Sequence, residues 1–168
     1  RYLPHDLESL QIQLSRTSLN SVVLTEGLFS MSGQIAALDQ IMALCRQYQA
    51  LCIVDEAHSF GVLGPHGLGL AHLYSLSQEE VPLRLLAFGK ALAGQGAVVV
   101  GKKEWIDALL QQGRSYIYST APSPALAHGM KTAFNLMFAA DDRRFKLNEL
   151  VRYFQKCCES SPLKWKKS

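Results

Sequence analysis

A carboxylate and an amine, each just past a short apolar run, are the residues of this chain best placed to do chemistry. Asp55 follows Ile53-Val54 and opens the stretch Glu56-Ala57-His58-Ser59-Phe60-Gly61, while Lys90 follows Ala87-Phe88-Gly89 and precedes Ala91-Leu92-Ala93-Gly94. An amine held in apolar surroundings has its charged form disfavoured and becomes nucleophilic toward a carbonyl. A carboxylate against a pyridine nitrogen keeps that nitrogen protonated, so the ring can absorb electrons from a carbanion. Together the two groups point to an aldehyde cofactor, with pyridoxal 5'-phosphate (PLP) the leading candidate. His58 and Ser30 could each hydrogen-bond the ring hydroxyl. A capping or core role suits His58 equally well, and Lys90 taken alone reads as an exposed lysine at a strand end.

One competing match starts from the same residues. Asp55-Glu56-Ala57-His58 spells the magnesium-binding box of one helicase class, and Ser119-Thr120-Ala121 echoes another helicase motif. A nucleotide hydrolase also needs an upstream G-x-x-x-x-G-K-[ST] loop. Nothing before Asp55 fits. Lys90 lies after it, Arg84 stands where the first glycine belongs, and Ala91 replaces Ser or Thr.

The elements that must position these groups follow from periodicity. Leu7, Leu10 and Leu14 fall on one helical face, with Asp6 as a possible cap. Ser21 to Leu24 reads as a buried strand, followed by a loop around Ser30-Met31-Ser32-Gly33. Leu38 to Gln49 is an amphipathic helix with Leu38, Ile41, Met42, Cys45 and Tyr48 inward. Leu51 to Val54 and Leu83 to Phe88 are further strands, separated by a loop carrying Gly61, Gly64, Gly67 and Gly69. Ala97 to Val100 returns too soon after Lys90 for a crossover helix, so it should run antiparallel to its neighbour. Trp105 to Gln112 forms a helix closed by Gly113. Pro124, capped by Ser123, starts a helix to about Phe138. Asp141-Asp142 restarts one carrying Leu147, Leu150, Val151 and Phe154.

This alternation predicts an α/β fold: a mostly parallel sheet with helices on both faces and one antiparallel strand. Ligands in such sheets collect where the strands end, and Asp55 and Lys90 both sit there. The chain has 168 residues, 48% hydrophobic and 18% charged, with net charge +3, which is one domain's worth. That charge is too small and scattered to suggest nucleic acid or an anionic membrane. Lys164, Lys166 and Lys167 read as a solvated tail. No apolar run reaches the ~20 residues of a membrane span. The start at Arg1 shows no secretory pattern. Cys45, Cys52, Cys157 and Cys158 lack metal-ligand spacing, no metal is expected, and reduced thiols in a cytoplasmic protein are the expectation.

Four segments then carry a family resemblance: Thr25 to Gly33, Val54 to Gly69, Phe88-Gly89-Lys90 and Tyr116 to Thr120. Together they resemble the α-oxoamine synthases, PLP-dependent enzymes of the aspartate aminotransferase fold (fold type I). The form Glu56-Ala57-His58-Ser59, with Gly94 to Ala97 and Ile117 to Thr120, leans toward the branch serving biotin biosynthesis. That branch condenses L-alanine with a pimeloyl thioester, on CoA or a carrier protein, and releases carbon dioxide. Relatives use glycine or serine with other acyl-CoAs. The resemblance implies that Lys90 is the Schiff-base lysine and also removes the substrate α-proton. It implies that Asp55 pairs with the pyridinium nitrogen, and that His58 and Ser30 lie near the ring oxygen. Ser119 or Thr120 is implied to reach the phosphate of a neighbouring subunit's cofactor in a homodimer.

Three departures from the family pattern stand out. Ala87 replaces a cofactor-contacting threonine, which removes one hydrogen bond worth about 1 kcal/mol net. Ser32 replaces an aspartate. The family is also roughly twice this length, so the resemblance implies a central fragment. Residues 1–138 then belong to the PLP-binding large domain, and 139–168 begin the C-terminal small domain or form an atypical tail. A fragment of that kind is expected to have little synthase activity alone. The alternatives are another α-oxoamine synthase using glycine or serine, or a non-catalytic truncated remnant of the fold.

Overall fold

Three short runs rich in Val, Leu and Ile become the parallel part of a four-stranded sheet. The structure, a computed structural model, describes residues 2–3, 5–17 and 20–162. Strands β1 (Val22–Glu26), β2 (Leu51–Asp55), β3 (Leu83–Ala87) and β4 (Ala97–Gly101) lie side by side in that order. β1, β2 and β3 are parallel, and β4 is antiparallel to β3, with Ala87 opposite Ala97. The turn between those two residues is too short for the crossover a parallel return requires. The expected mixed sheet is therefore present.

The described helices are α1 (Leu7–Arg16), α2 (Leu38–Gln47), α3 (Leu70–Leu73), α4 (Lys103–Gln112), α5 (Pro124–Phe138) and α6 (Asp141–Glu159). Asp6 caps α1 by accepting the Ser9 N–H at 2.8 Å. Ser123 caps α5 by accepting the Ala125 N–H at 3.3 Å, with Pro124 in the first turn. Helix α2 stops at Gln47, short of the expected Gln49, because Gln49 adopts a left-handed φ of 52°. Helix α3 was hidden inside what reads as a glycine-rich loop; four residues carry too little periodicity to show.

Strand register decides which side is core. Val23, Cys52, Val54 and Leu86 leave one face and are buried there. Leu38, Ile41, Met42 and Cys45 of α2 pack on that face with Leu10, Leu14 and Leu70. Phe60, Leu92 and Met137 extend it under α5, with Phe134 stacked edge-on to Phe60 and Phe88. The opposite face is covered unequally. Leu109 of α4 shares a hollow there with Val99 and Leu85, whereas Val22 and Leu24 remain 51% and 66% exposed. No helix among the described residues is long and apolar enough to cross a membrane. The basic cluster at Lys164, Lys166 and Lys167 lies outside the described residues.

The corner between α5 and α6 rests on Arg144, which is only 8% exposed. Its Nη1 donates to the Met137 carbonyl at 2.8 Å, and its Nη2 to Asp141 Oδ1 at 2.7 Å. Beyond that anchor, Leu147, Leu150, Val151 and Phe154 all stay exposed. Arg144→Ala should therefore lower unfolding stability by about 2 kcal/mol, since it strips a partner from a buried carbonyl. Hydrogen exchange in α6 should rise in parallel. Arg144 also holds the Asp141 carboxyl below its usual range. The depressed value means that this pair supports the fold above the ordinary carboxylate pKa and fails only as pH drops through the lowered one.

Candidate active site

The parallel strands end together, and their C-terminal edge collects the chemistry. Asp55 is the last residue of β2 and half-buried; its Oδ1 accepts the Ala57 N–H at 2.8 Å. Its second oxygen has no hydrogen bond among the described residues. Glu26, the last residue of β1, is the register partner of Asp55. Ser30 follows in an exposed loop. An open hollow of about 1340 Å³ is lined by Glu26, Ser30, Ile53, Asp55 and Leu85. Ser30 and Asp55 both border that hollow, whereas His58 and Lys90 do not.

Just past Asp55, Glu56 turns the other way and is fully buried. Its Oε2 accepts the Ser59 hydroxyl and, at 2.7 Å, the Leu70 N–H; its Oε1 accepts the Ala71 N–H at 2.9 Å and Arg84 Nη2 at 3.0 Å. Gly69 makes room for this: with φ of 92°, a Cβ there would sit 2.5 Å from Glu56 Oε2. Sequence reasoning missed this centre. The available signal was Arg84, a lone charge inside an apolar strand, which must find a partner if buried. With both oxygens committed inside the core, Glu56 is not placed to serve the metal-bound phosphate chemistry of the helicase reading.

His58 sits in the turn that follows, half-buried, with no side-chain hydrogen bond among the described residues. That turn meets the lysine turn directly. At Gly61, whose φ is 84°, a Cβ would lie 2.4 Å from the Ala91 Cβ, so the turn three residues past His58 abuts the residue after Lys90. Gly61→Ala is expected to destabilise by about 1–3 kcal/mol through the forced left-handed conformation. Because the clash pushes the lysine turn outward, PLP affinity measured by absorbance titration should fall with it.

Lys90 requires a correction. The sequence places it in apolar surroundings, yet it is exposed, as are Ala91 and Ala93; only Leu92 turns into the core. The turn projects beyond the end of β3, so this chain's own residues do not desolvate the amine. No ion pair among the described residues occupies it. Ser119 and Thr120 are also exposed, and Ser119 Oγ donates to the Tyr116 carbonyl at 2.5 Å. No hydrogen bond among the described residues links these two to the Asp55 or Lys90 turns. A separate cavity of about 880 Å³ between α5 and the β3–β4 turn is lined by Phe88, Ala97, Met130 and Phe134, and contains none of the expected site residues.

The groups near the strand ends that PLP could engage are the unshared oxygen of Asp55 and the exposed amine of Lys90, which does not line the hollow holding Asp55. The family described as aminotransferase class I and II matches residues 3–168. An 8-amino-7-oxononanoate synthase of Marinobacter nauticus is 41% identical over 155 residues, covering 92% of this chain and 39% of the relative. The crystal structure of 8-amino-7-oxononanoate synthase from Francisella tularensis superposes with a TM-score of 0.82 at 31% identity, covering 94% of this chain and 46% of that one. A serine palmitoyltransferase from S. paucimobilis, solved with PLP–myriocin bound, gives a TM-score of 0.79 at 27% identity, covering 86% and 36%. The chain spans 36–46% of the length of these relatives.

Proposed function

This chain belongs to the aminotransferase class I and II family, and on that premise we propose that it is the cofactor-binding core of an 8-amino-7-oxononanoate synthase. PLP is the family's cofactor. The proposed reaction joins the α-carbon of L-alanine to the acyl carbon of a pimeloyl thioester. The alanine carboxyl leaves as carbon dioxide, and the thiol carrier is released. What supports this reading most is that Asp55 ends β2 and Lys90 follows the neighbouring parallel strand β3, while Gly61, in the turn after His58, packs against Ala91.

Bound PLP supplies an electron sink for the carbanion at the amino-acid α-carbon. Lys90 Nζ would hold the cofactor and would take the proton from the amino-acid α-carbon. The Asp55 oxygen left free beside its bond to Ala57 would keep the ring nitrogen protonated. His58 and Ser30 would hold the ring oxygen. Thr120, or Ser119 beside it, would hold the phosphate in the other half of a homodimer. The desolvation that Lys90 lacks here comes, on this reading, from that partner and from the rest of the longer protein. Residues 1–138 form part of the large domain and 139–168 lead toward the small one. The enzyme works in the cytoplasm, without nucleic acid or membrane.

The test uses the full-length protein with PLP, pimeloyl-CoA or pimeloyl-carrier protein, and each of L-alanine, glycine and L-serine. Thiol release and carbon dioxide release in equal amounts with alanine alone are expected. Turnover with glycine or serine instead would assign a different α-oxoamine synthase. Binding of PLP without turnover of any amino acid would leave a non-catalytic remnant.

A further inference from the structure

Glu26 has no part in the roles assigned above, yet it stands between two residues that do. It ends β1 in register with Asp55, and neighbouring strands lie about 4.8 Å apart with in-register side chains on one face. Its Oε2 accepts the Ser30 backbone N–H at 3.0 Å. Elsewhere that loop is closed mainly by backbone, with one neutral side-chain bond in which the Gln34 N–H donates to Ser32 Oγ at 3.3 Å. Gly27 N–H donates to the Asp55 carbonyl at 2.8 Å, Phe29 N–H to Gln34 at 2.9 Å and Gly33 N–H to Phe29 at 2.8 Å. At Ser30 the loop is instead held by a half-buried carboxylate, and a charged acceptor makes such a bond about twice as strong as a neutral one.

We propose that Glu26 is a positioning residue: its carboxylate fixes the Ser30 backbone so that the serine hydroxyl meets the ring oxygen of PLP. This rests on the PLP reading of the site. Although Glu26 borders the same hollow, its proposed part is played through Ser30. A carboxamide at the same position still offers an oxygen acceptor, whereas alanine offers none.

The experiment compares Glu26→Ala, Glu26→Gln, Ser30→Ala and the Glu26→Ala/Ser30→Ala double variant in the full-length protein. Two quantities are read: PLP dissociation constant by absorbance titration, and hydrogen exchange of the Ser30 amide without cofactor. Glu26→Ala is expected to weaken PLP roughly tenfold, the scale of losing one charge-assisted bond, and to speed Ser30 exchange. Glu26→Gln should recover most of both. In the Ser30→Ala background, Glu26→Ala should add little, because residues acting through one contact are not additive. Full additivity, or Gln behaving as Ala does, would overturn the proposal. Unchanged Ser30 exchange in Glu26→Ala would overturn it too. If the parent protein binds no PLP, the site reading fails, while the exchange data still decide whether Glu26 holds the loop.

Discussion

Lys90→Ala is expected to abolish borohydride-stable attachment of PLP and to lower synthase turnover by at least 10²–10⁴-fold, the usual range for losing one acid–base group. The full loss should be larger, because the same amine is proposed to carry the cofactor covalently. Peptide mapping of the reduced parent protein should place the adduct on Lys90 and on no other lysine. The exposure of Lys90 sharpens the test. In the 168-residue chain alone the amine lacks an apolar wall, so trapping should be weak; in the full-length protein it should be strong. An adduct elsewhere, or equal trapping in the alanine variant, would remove Lys90 from the site.

Glu56→Ala should be the most damaging substitution for the fold itself, lowering unfolding stability by about 3–5 kcal/mol, as expected when one member of a buried ion pair is removed. The variant leaves the Arg84 guanidinium without its carboxylate and uncaps the N–H groups of Leu70 and Ala71. Glu56→Gln keeps acceptors for the N–H groups and should be milder. Replacing Glu56 and Arg84 together by leucines should recover part of the loss, because neither charge is then stranded. The measurement is the urea midpoint of each variant. A shift of under about 1 kcal/mol for Glu56→Ala would mean that the network is peripheral to stability.

Much of the architecture was legible because hydrophobic period and turn chemistry are local properties. The apolar run Val22-Val23-Leu24 marks a strand, though Val22 and Leu24 prove exposed where a buried strand was expected, and Asp6 and Ser123 announce their helices. The antiparallel return of β4 follows from loop length alone. Glu56, Arg84 and Arg144 were not legible as partners. Nothing in a strand or a turn says which distant charge or carbonyl a buried guanidinium will meet.

The sequence by itself determined the order of elements, the placement of Asp55 and Lys90 at strand ends, and the family to which the motifs belong. Those follow from residue type, spacing and chain order, which need no third dimension. The tertiary structure alone decided that Gly61, beyond His58, packs against Ala91 in the lysine turn, that Glu26 falls beside Asp55, and that Lys90 stays in solvent. Register between strands and burial are set by residues far apart in the chain, and desolvation of an amine depends on whatever stands opposite it. For Lys90, that wall is not built from the residues around it in sequence.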